Sequence, residues 1–260
     1  METEESLSSP KFKKQGMEQQ LCPVLSVSCS MILGGLQKLT LIDYPGHIAA
    51  TVFTVSCNFR CPFCHNPELV SNANYQLSGV LEKDLFGFLG ERKGKLEGIC
   101  ITGGEPTIQP DIIEFIGKIR SLDYKVKLDT NGTRPDVLRK LFQEKLLDFV
   151  AMDIKNTPEN YKNTVNSQLD IGRIRLSVDL IRHSGIDYEF RTTAVPGIHA
   201  EKDFIEIGKW LKGAKKYALQ SYREKNILDE KLKKKTKGKS LDLEKIAKKI
   251  RKYFGKVEVR

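Results

Sequence analysis

Residues 47–64, HIAATVFTVSCNFRCPFC, decide the fold. The first half is rich in β-branched and aromatic residues, as a strand requires, and the second half carries three cysteines. A strand that ends in a loop of ligand-type side chains is the start of a βα unit with a site at its carboxyl end. From His47 onward, short runs rich in Val and Ile alternate with amphipathic helical stretches. The pattern predicts strands ending near Val55, Ile101, Leu128, Ile154, Ala194 and Gln220. Helices are expected around residues 79–92, 111–122, 135–145, 169–183 and 200–211, with Ser78 as an N-cap and Pro135 in a first turn. Six strands with helices between them define an α/β chain, an incomplete (β/α)6 TIM-like barrel of parallel strands.

The flanks read differently. Residues 1–30 are polar and aperiodic, which predicts a disordered tail or a start site that really lies at Met17 or Met31. The barrel is expected over 31–222. Residues 223–260 are expected to form a basic linker, a helix capped by Ser240 and a closing strand at Val257-Glu258-Val259. The net charge of +10 is local, because residues 223–260 hold 15 Lys/Arg against 6 Asp/Glu. That leaves the rest close to neutral and argues against a nucleic-acid-binding barrel. The run Lys231–Lys239 lacks interleaved aromatics and reads as a solvated linker, with docking of an acidic partner as its functional alternative. No stretch reads as export signal or membrane span, and clustered thiols fit a reducing cytoplasm.

Cys57, Cys61 and Cys64 have the spacing C-x3-C-x2-C. Thiolates hold iron–sulfur clusters, and three of them leave one iron of a four-iron cubane open to another ligand. Zinc normally takes four ligands, so a zinc reading needs His65 as the fourth. After the second strand, Gly103-Gly104-Glu105 combines close backbone approach with an acceptor for an ammonium group. Read alone, it is also an ordinary Gly-Gly turn. After the third strand comes Asp129-Thr130-Asn131-Gly132, a turn signal that Asp129 could cap. After the fourth, Asp153 and Lys155 lie two residues apart on one strand face, as a surface ion pair or as a joint binding element. Cys100 sits in an apolar strand and reads as a core thiol, while Cys22 and Cys29 fall in the N-terminal tail.

C-x3-C-x-aromatic-C after the first strand of an α/β barrel resembles the signature of the radical S-adenosylmethionine (AdoMet) superfamily. The resemblance implies a [4Fe-4S] cluster on Cys57, Cys61 and Cys64, with the amino and carboxylate groups of AdoMet on the open iron. It implies Phe63 and His65 near the adenine and Gly103, Gly104 and Glu105 at the methionyl amino group. Asp129, Asp153 and Lys155 would help hold AdoMet, with a monovalent cation beside them. The 195–197 turn would pack on adenine, and Arg191 is an open case between structural and binding roles.

Gly34-Gly35-Leu36-Gln37-Lys38, the 41–46 segment Leu-Ile-Asp-Tyr-Pro-Gly and Cys64-His65-Asn66-Pro67-Glu68 further resemble glycyl-radical enzyme activating enzymes, above all the activating proteins of anaerobic ribonucleoside-triphosphate reductase. This implies a glycyl-radical enzyme as protein substrate and reduced ferredoxin or flavodoxin as electron donor. The rivals are radical modification of a small molecule or RNA, such as deazapurine formation, and a zinc-binding nucleic-acid module.

Overall fold

The computed structural model describes residues 31, 33–70 and 79–260. The N-terminal tail, with Cys22 and Cys29, and the N-cap expected at Ser78 lie outside them. The described chain forms one eight-stranded sheet whose strands follow one another in sequence order. They are β1 (Leu33–Thr40), β2 (Ala49–Thr54), β3 (Gly98–Gly103), β4 (Lys125–Thr130), β5 (Phe149–Asp153), β6 (Asp187–Ala194), β7 (Lys216–Ser221) and β8 (Lys256–Val259). β2 to β8 pair in parallel, whereas β1 runs antiparallel to β2. β1 and β8 do not pair, so the barrel is open.

The six expected strands are all present. The sequence pattern missed β1, because its Gly-Gly pair and exposed polar residues mask the alternation. β8 was expected and adds a seventh parallel strand.

Helices cover the outer face, where a parallel sheet cannot be left to water. They are α1 (Glu82–Glu91), α2 (Ile112–Ser121), α3 (Pro135–Gln143), α4 (Tyr161–Val165), α5 (Ile171–Arg182), α6 (Glu201–Trp210), α7 (Leu232–Thr236) and α8 (Leu243–Ile250). Each long one buries an apolar stripe at helical spacing, such as Ile112, Phe115, Ile116 and Ile119 on α2. Pro135 opens α3 as expected. Asp242, not Ser240, caps α8 by accepting from the Lys245 N–H at 2.9 Å. The carboxylate two residues later sits where its oxygen reaches the free amide. The lysine-rich stretch is not simply a linker, because it contains α7 with Leu232 and Thr236 buried.

The inward faces of the strands are polar. Cys100 on β3 faces Lys127 on β4 in register, and Asp153 on β5 faces Arg191 on β6. Glu189 and Arg191 alternate inward on β6, and Arg260, just past β8, grips the Glu189 carboxylate at 2.8 and 2.9 Å. Below them Tyr44, 2% exposed, packs so closely on Gly98 that a Cβ there would lie 2.8 Å from its ring. The 41–46 segment therefore helps close the amino end of the strands, leaving the cleft at the carboxyl end.

Candidate functional site

One cleft of about 210 Å³ lies at the carboxyl ends of β2–β6. Cys57, Cys61, Phe63, Cys64, His65, Gly103, Gly104, Glu105, Asp129, Asp153 and Lys155 all line it, so the expected cluster and AdoMet residues of the first four strand-end loops share one space. Arg191 joins them. The 195–197 turn does not: Val195 is fully buried, and Pro196 and Gly197 line other surfaces.

The cysteine loop is held from both ends. Ser56, at φ 72°, turns the chain out of β2, and its N–H bonds the Leu69 carbonyl at 2.8 Å. Arg60 donates to the carbonyls of Cys57 and Phe59 at 2.5 and 2.8 Å, and its own N–H reaches Val165 at 2.9 Å. Asn58 donates to Thr133 at 2.8 Å and accepts from Asn131 at 2.8 Å, tying the loop to the turn after β4. All three cysteines are free. Burial pushes the Cys57 thiol up to about 11 and that of Cys61 to about 12, and it raises Cys64 as well. A thiol in such surroundings needs a cationic group on the sulfur to ionise.

Among the described residues, no three His, Cys, Asp or Glu groups gather around a single-ion site. His65, the fourth ligand a zinc site would need, instead donates through Nε2 to the Arg223 carbonyl at 3.0 Å and stacks on Tyr222. Three thiols spread along one loop fit a larger, polynuclear group.

Gly103 and Gly104 bring β3 against the cysteine loop. Gly103 has φ +109°, and a Cβ on Gly104 would lie 1.9 Å from the Ser56 carbonyl oxygen. Gly104 and Glu105 donate their N–H groups to Thr54 and Ser56 at 2.8 Å each. The Glu105 side chain, 1% exposed, accepts from Thr130 Oγ1 at 2.7 Å and from the N–H groups of Asn131 and Thr107 at 2.6 and 3.1 Å. The Thr107 hydroxyl is a fourth donor. All four are neutral. Burial therefore raises the Glu105 carboxyl above the ordinary glutamate range, although these hydrogen bonds oppose it. Among the described residues, no cation pairs with it. It is a buried acceptor with no counter-ion, which is what an ammonium ligand complements.

The opposite wall is ionic. Arg191 donates through Nε to Asp153 and through Nη1 to Asp129, both at 2.9 Å. Lys155 reaches Asp153 at 3.0 Å, and buried Lys127 pairs with Asp129. Burial works to raise both carboxyls, but Arg191 with Lys155 or Lys127 outweighs it, holding Asp153 well below the usual range and lowering Asp129 as well. Asp129 thus enters this network and does not cap the Asn-Gly turn. Thr130 and Asn131 cap the turn, accepting from the N–H groups of Gly132 and Thr133. The monovalent cation that the resemblance implies would meet two carboxylates already faced by three protein cations.

Three residues escaped the sequence reading. Lys127 looks like an ordinary strand lysine, and only its inward register reveals it. Thr130 lies within the Asn-Gly turn signal, and nothing in that local pattern shows its hydroxyl donating to Glu105. His199 follows the 195–197 turn, accepts the Val195 N–H on Nδ1 and donates from Nε2 to the Lys155 carbonyl at 2.8 Å. Burial lowers its pKa, so the neutral ring bridges β6 to the Asp153–Lys155 loop. A histidine placed a few residues after Pro-Gly was the available signal.

The fold and the three-thiol cleft define a class, and comparison with known proteins identifies it. Residues 51–211 match the Radical SAM superfamily, and the chain belongs to it. It is a radical enzyme of the oxidoreductase type whose cofactors are a [4Fe-4S] cluster and AdoMet. Within that family it is 33% identical, over 88% of this chain and 95% of the other, to a Methanocaldococcus jannaschii protein described as a provisional glycyl-radical enzyme activating enzyme. It is 29% identical to the pyruvate formate-lyase-activating enzyme of Streptococcus mutans, over 71% of this chain and 73% of that one. SuiB of Streptococcus suis with bound S-adenosylmethionine shares the fold at TM-score 0.60 and 15% identity, over 79% of this chain. The chain spans about half of SuiB, 48% of its length.

Proposed function

We propose that this chain activates a glycyl-radical enzyme, converting a glycine Cα–H of that partner into a radical. The observation that carries the reading is the shared cleft, where three free thiols stand beside a buried carboxylate without a counter-ion. In this reading Cys57, Cys61 and Cys64 hold the cluster. Gly103 and Gly104 seat the loop after β3 against the cysteine loop, and Glu105 receives the methionyl ammonium. Asp153, Lys155 and Asp129 orient the methionyl end, while Phe63 and His65 flank the adenine.

When bound, the cluster and AdoMet supply reductive one-electron chemistry that takes a hydrogen atom from the substrate. The protein's own residues bind, orient and exclude water, and no side chain need act as acid or base. The barrel is open between β1 and β8, which is compatible with a macromolecular substrate. Similarity to an activating enzyme along nearly the whole length supports the same reading. The anaerobic ribonucleoside-triphosphate reductase is the partner favoured by the 34–38, 41–46 and 64–68 segments, a low-potential carrier is the electron source, and the reducing cytoplasm is the setting.

The test is anaerobic reconstitution with iron and sulfide, reduction, and addition of AdoMet with candidate glycyl-radical proteins. A glycyl EPR doublet with deoxyadenosine release is expected, and Cys61→Ala should abolish both. Deoxyadenosine formation stimulated by RNA or a free metabolite, but by no glycyl-radical protein, would overturn the reading.

A further inference from the structure

The lysine-rich segment is folded against the outer side of the cysteine loop. Asp229 N–H bonds the Pro62 carbonyl at 3.0 Å, and Asn226 donates to the His65 carbonyl at 3.2 Å. His65 in turn reaches the Arg223 carbonyl. Ile227 and Leu232, 5% and 2% exposed, anchor the segment. Between it and α4 runs a polar cleft of about 460 Å³, lined by Pro62, Asn160, Asn163, Leu232 and Lys235 among others. Pro62, between Cys61 and Cys64, and Asn156, next to Lys155, are where this outer cleft comes closest along the chain to the inner one.

Lys231, Lys233, Lys234, Lys235, Lys237 and Lys239 stand here with no acidic residue among them. Among the described residues only Lys233 forms an ion pair, with Glu230. The other five are exposed. Concentrated like charge repels itself, so such a surface costs stability unless an acidic partner offsets it. Exposed Arg60 adds positive charge on the same loop.

The cluster needs an electron from outside, and it needs it with AdoMet and substrate filling the inner cleft. That route is then blocked. The outer side of the cysteine loop remains, with the Asp229–Pro62 hydrogen bond linking the basic segment to the ligand loop.

We propose that Lys231–Lys239 and the cleft floored by Pro62 form the docking surface for an acidic one-electron carrier protein of the ferredoxin or flavodoxin class. The carrier loses one electron and the cluster gains it, with no bond made or broken and no proton moved. The inference rests on the cluster chemistry of the family and not on the identity of the radical's final acceptor, so failure of the glycyl reading would leave it standing.

The test uses the reconstituted full chain and a purified acidic ferredoxin. The variant K231E/K234E/K235E/K237E changes no residue of the inner cleft. Its affinity for the carrier, by calorimetry, and its second-order rate of cluster reduction by the reduced carrier should each fall by about tenfold or more. Both quantities should weaken steeply with salt in the unmodified protein. Iron content, circular dichroism and the rate with dithionite should not change. Unchanged carrier affinity and rate, or salt-independent binding by the unmodified protein, would overturn the proposal. So would normal reduction by the carrier with a lower glycyl-radical yield from chemically reduced enzyme, which would assign the surface to the protein substrate. Should the quadruple variant misfold, the corresponding Lys→Gln variant and the salt titration decide.

Discussion

The two walls of the inner cleft bury carboxylates in opposite ways. Glu105 is surrounded by neutral donors and its carboxyl is raised, while Asp129 and Asp153 are surrounded by Lys127, Lys155 and Arg191 and theirs are lowered. Burial is a large influence on all three, so the partners decide the sign. The Glu105 wall leaves a demand for positive charge that the described protein does not meet. The aspartate wall has three cations for two carboxylates and leaves a surplus. A zwitterionic ligand with separated ammonium and carboxylate groups answers both, and neither wall alone would specify one.

Gly104→Ala should break the comparison most severely. The new Cβ would collide with backbone on the cysteine loop, and moving either strand end costs the 2.8 Å bond from Glu105 N–H to Ser56. AdoMet affinity of the reconstituted protein should fall at least about 100-fold, or roughly 3 kcal/mol, by equilibrium binding. Unchanged affinity would remove the Gly-Gly wall from the ligand site.

Asp153→Asn should be next, leaving Arg191 and Lys155 short of a carboxylate. A loss of about 3 kcal/mol in urea denaturation is expected, at the lower end for a broken buried pair because Asp153 is partly exposed. The pH dependence sharpens the contrast. A lowered aspartate stabilises the fold fully above its unfolded value of about 3.9, and that contribution disappears as pH falls through the folded value. Glu105, being raised, works in reverse, its relative contribution being lost as pH rises through its folded value. The unmodified protein should therefore lose stability below roughly pH 4 more steeply than Asp153→Asn. Parallel acid profiles would contradict the assigned pairing.

Cys100→Ala should have the smallest effect. Cys100 is fully buried on β3 but lies below the cleft, 3.5 Å from the Lys127 ammonium. A stability loss of about 1 kcal/mol with unchanged iron content is expected. Lost iron would show that depth in the barrel does not separate structural from ligand thiols.

The strands and their loops were legible because β-branched runs and helical stripes are local patterns. β1 was not, since a glycine-rich edge strand has little alternation to read. Asp242 displaced Ser240 as the cap of α8 for a geometric reason, two residues of offset that composition does not reveal. Within the site, ligand-type side chains at strand ends were legible, but the meaning of an inward lysine such as Lys127 was not. Lysine on a strand is ordinarily solvated, and only the register of β4 against β3 turns it inside.

By itself the sequence determined the βα order, the thiol spacing and the residues available at each strand end, because these depend on neighbours in the chain. Only the tertiary structure decided which carboxylate is left without a cation and which two share three. It also decided that the basic segment lies on the cysteine loop. Those outcomes depend on side chains brought together across the barrel, such as Asp129 with Arg191 and Pro62 with Asp229. Pairing at that range is set by packing and register, which no single stretch of chain contains.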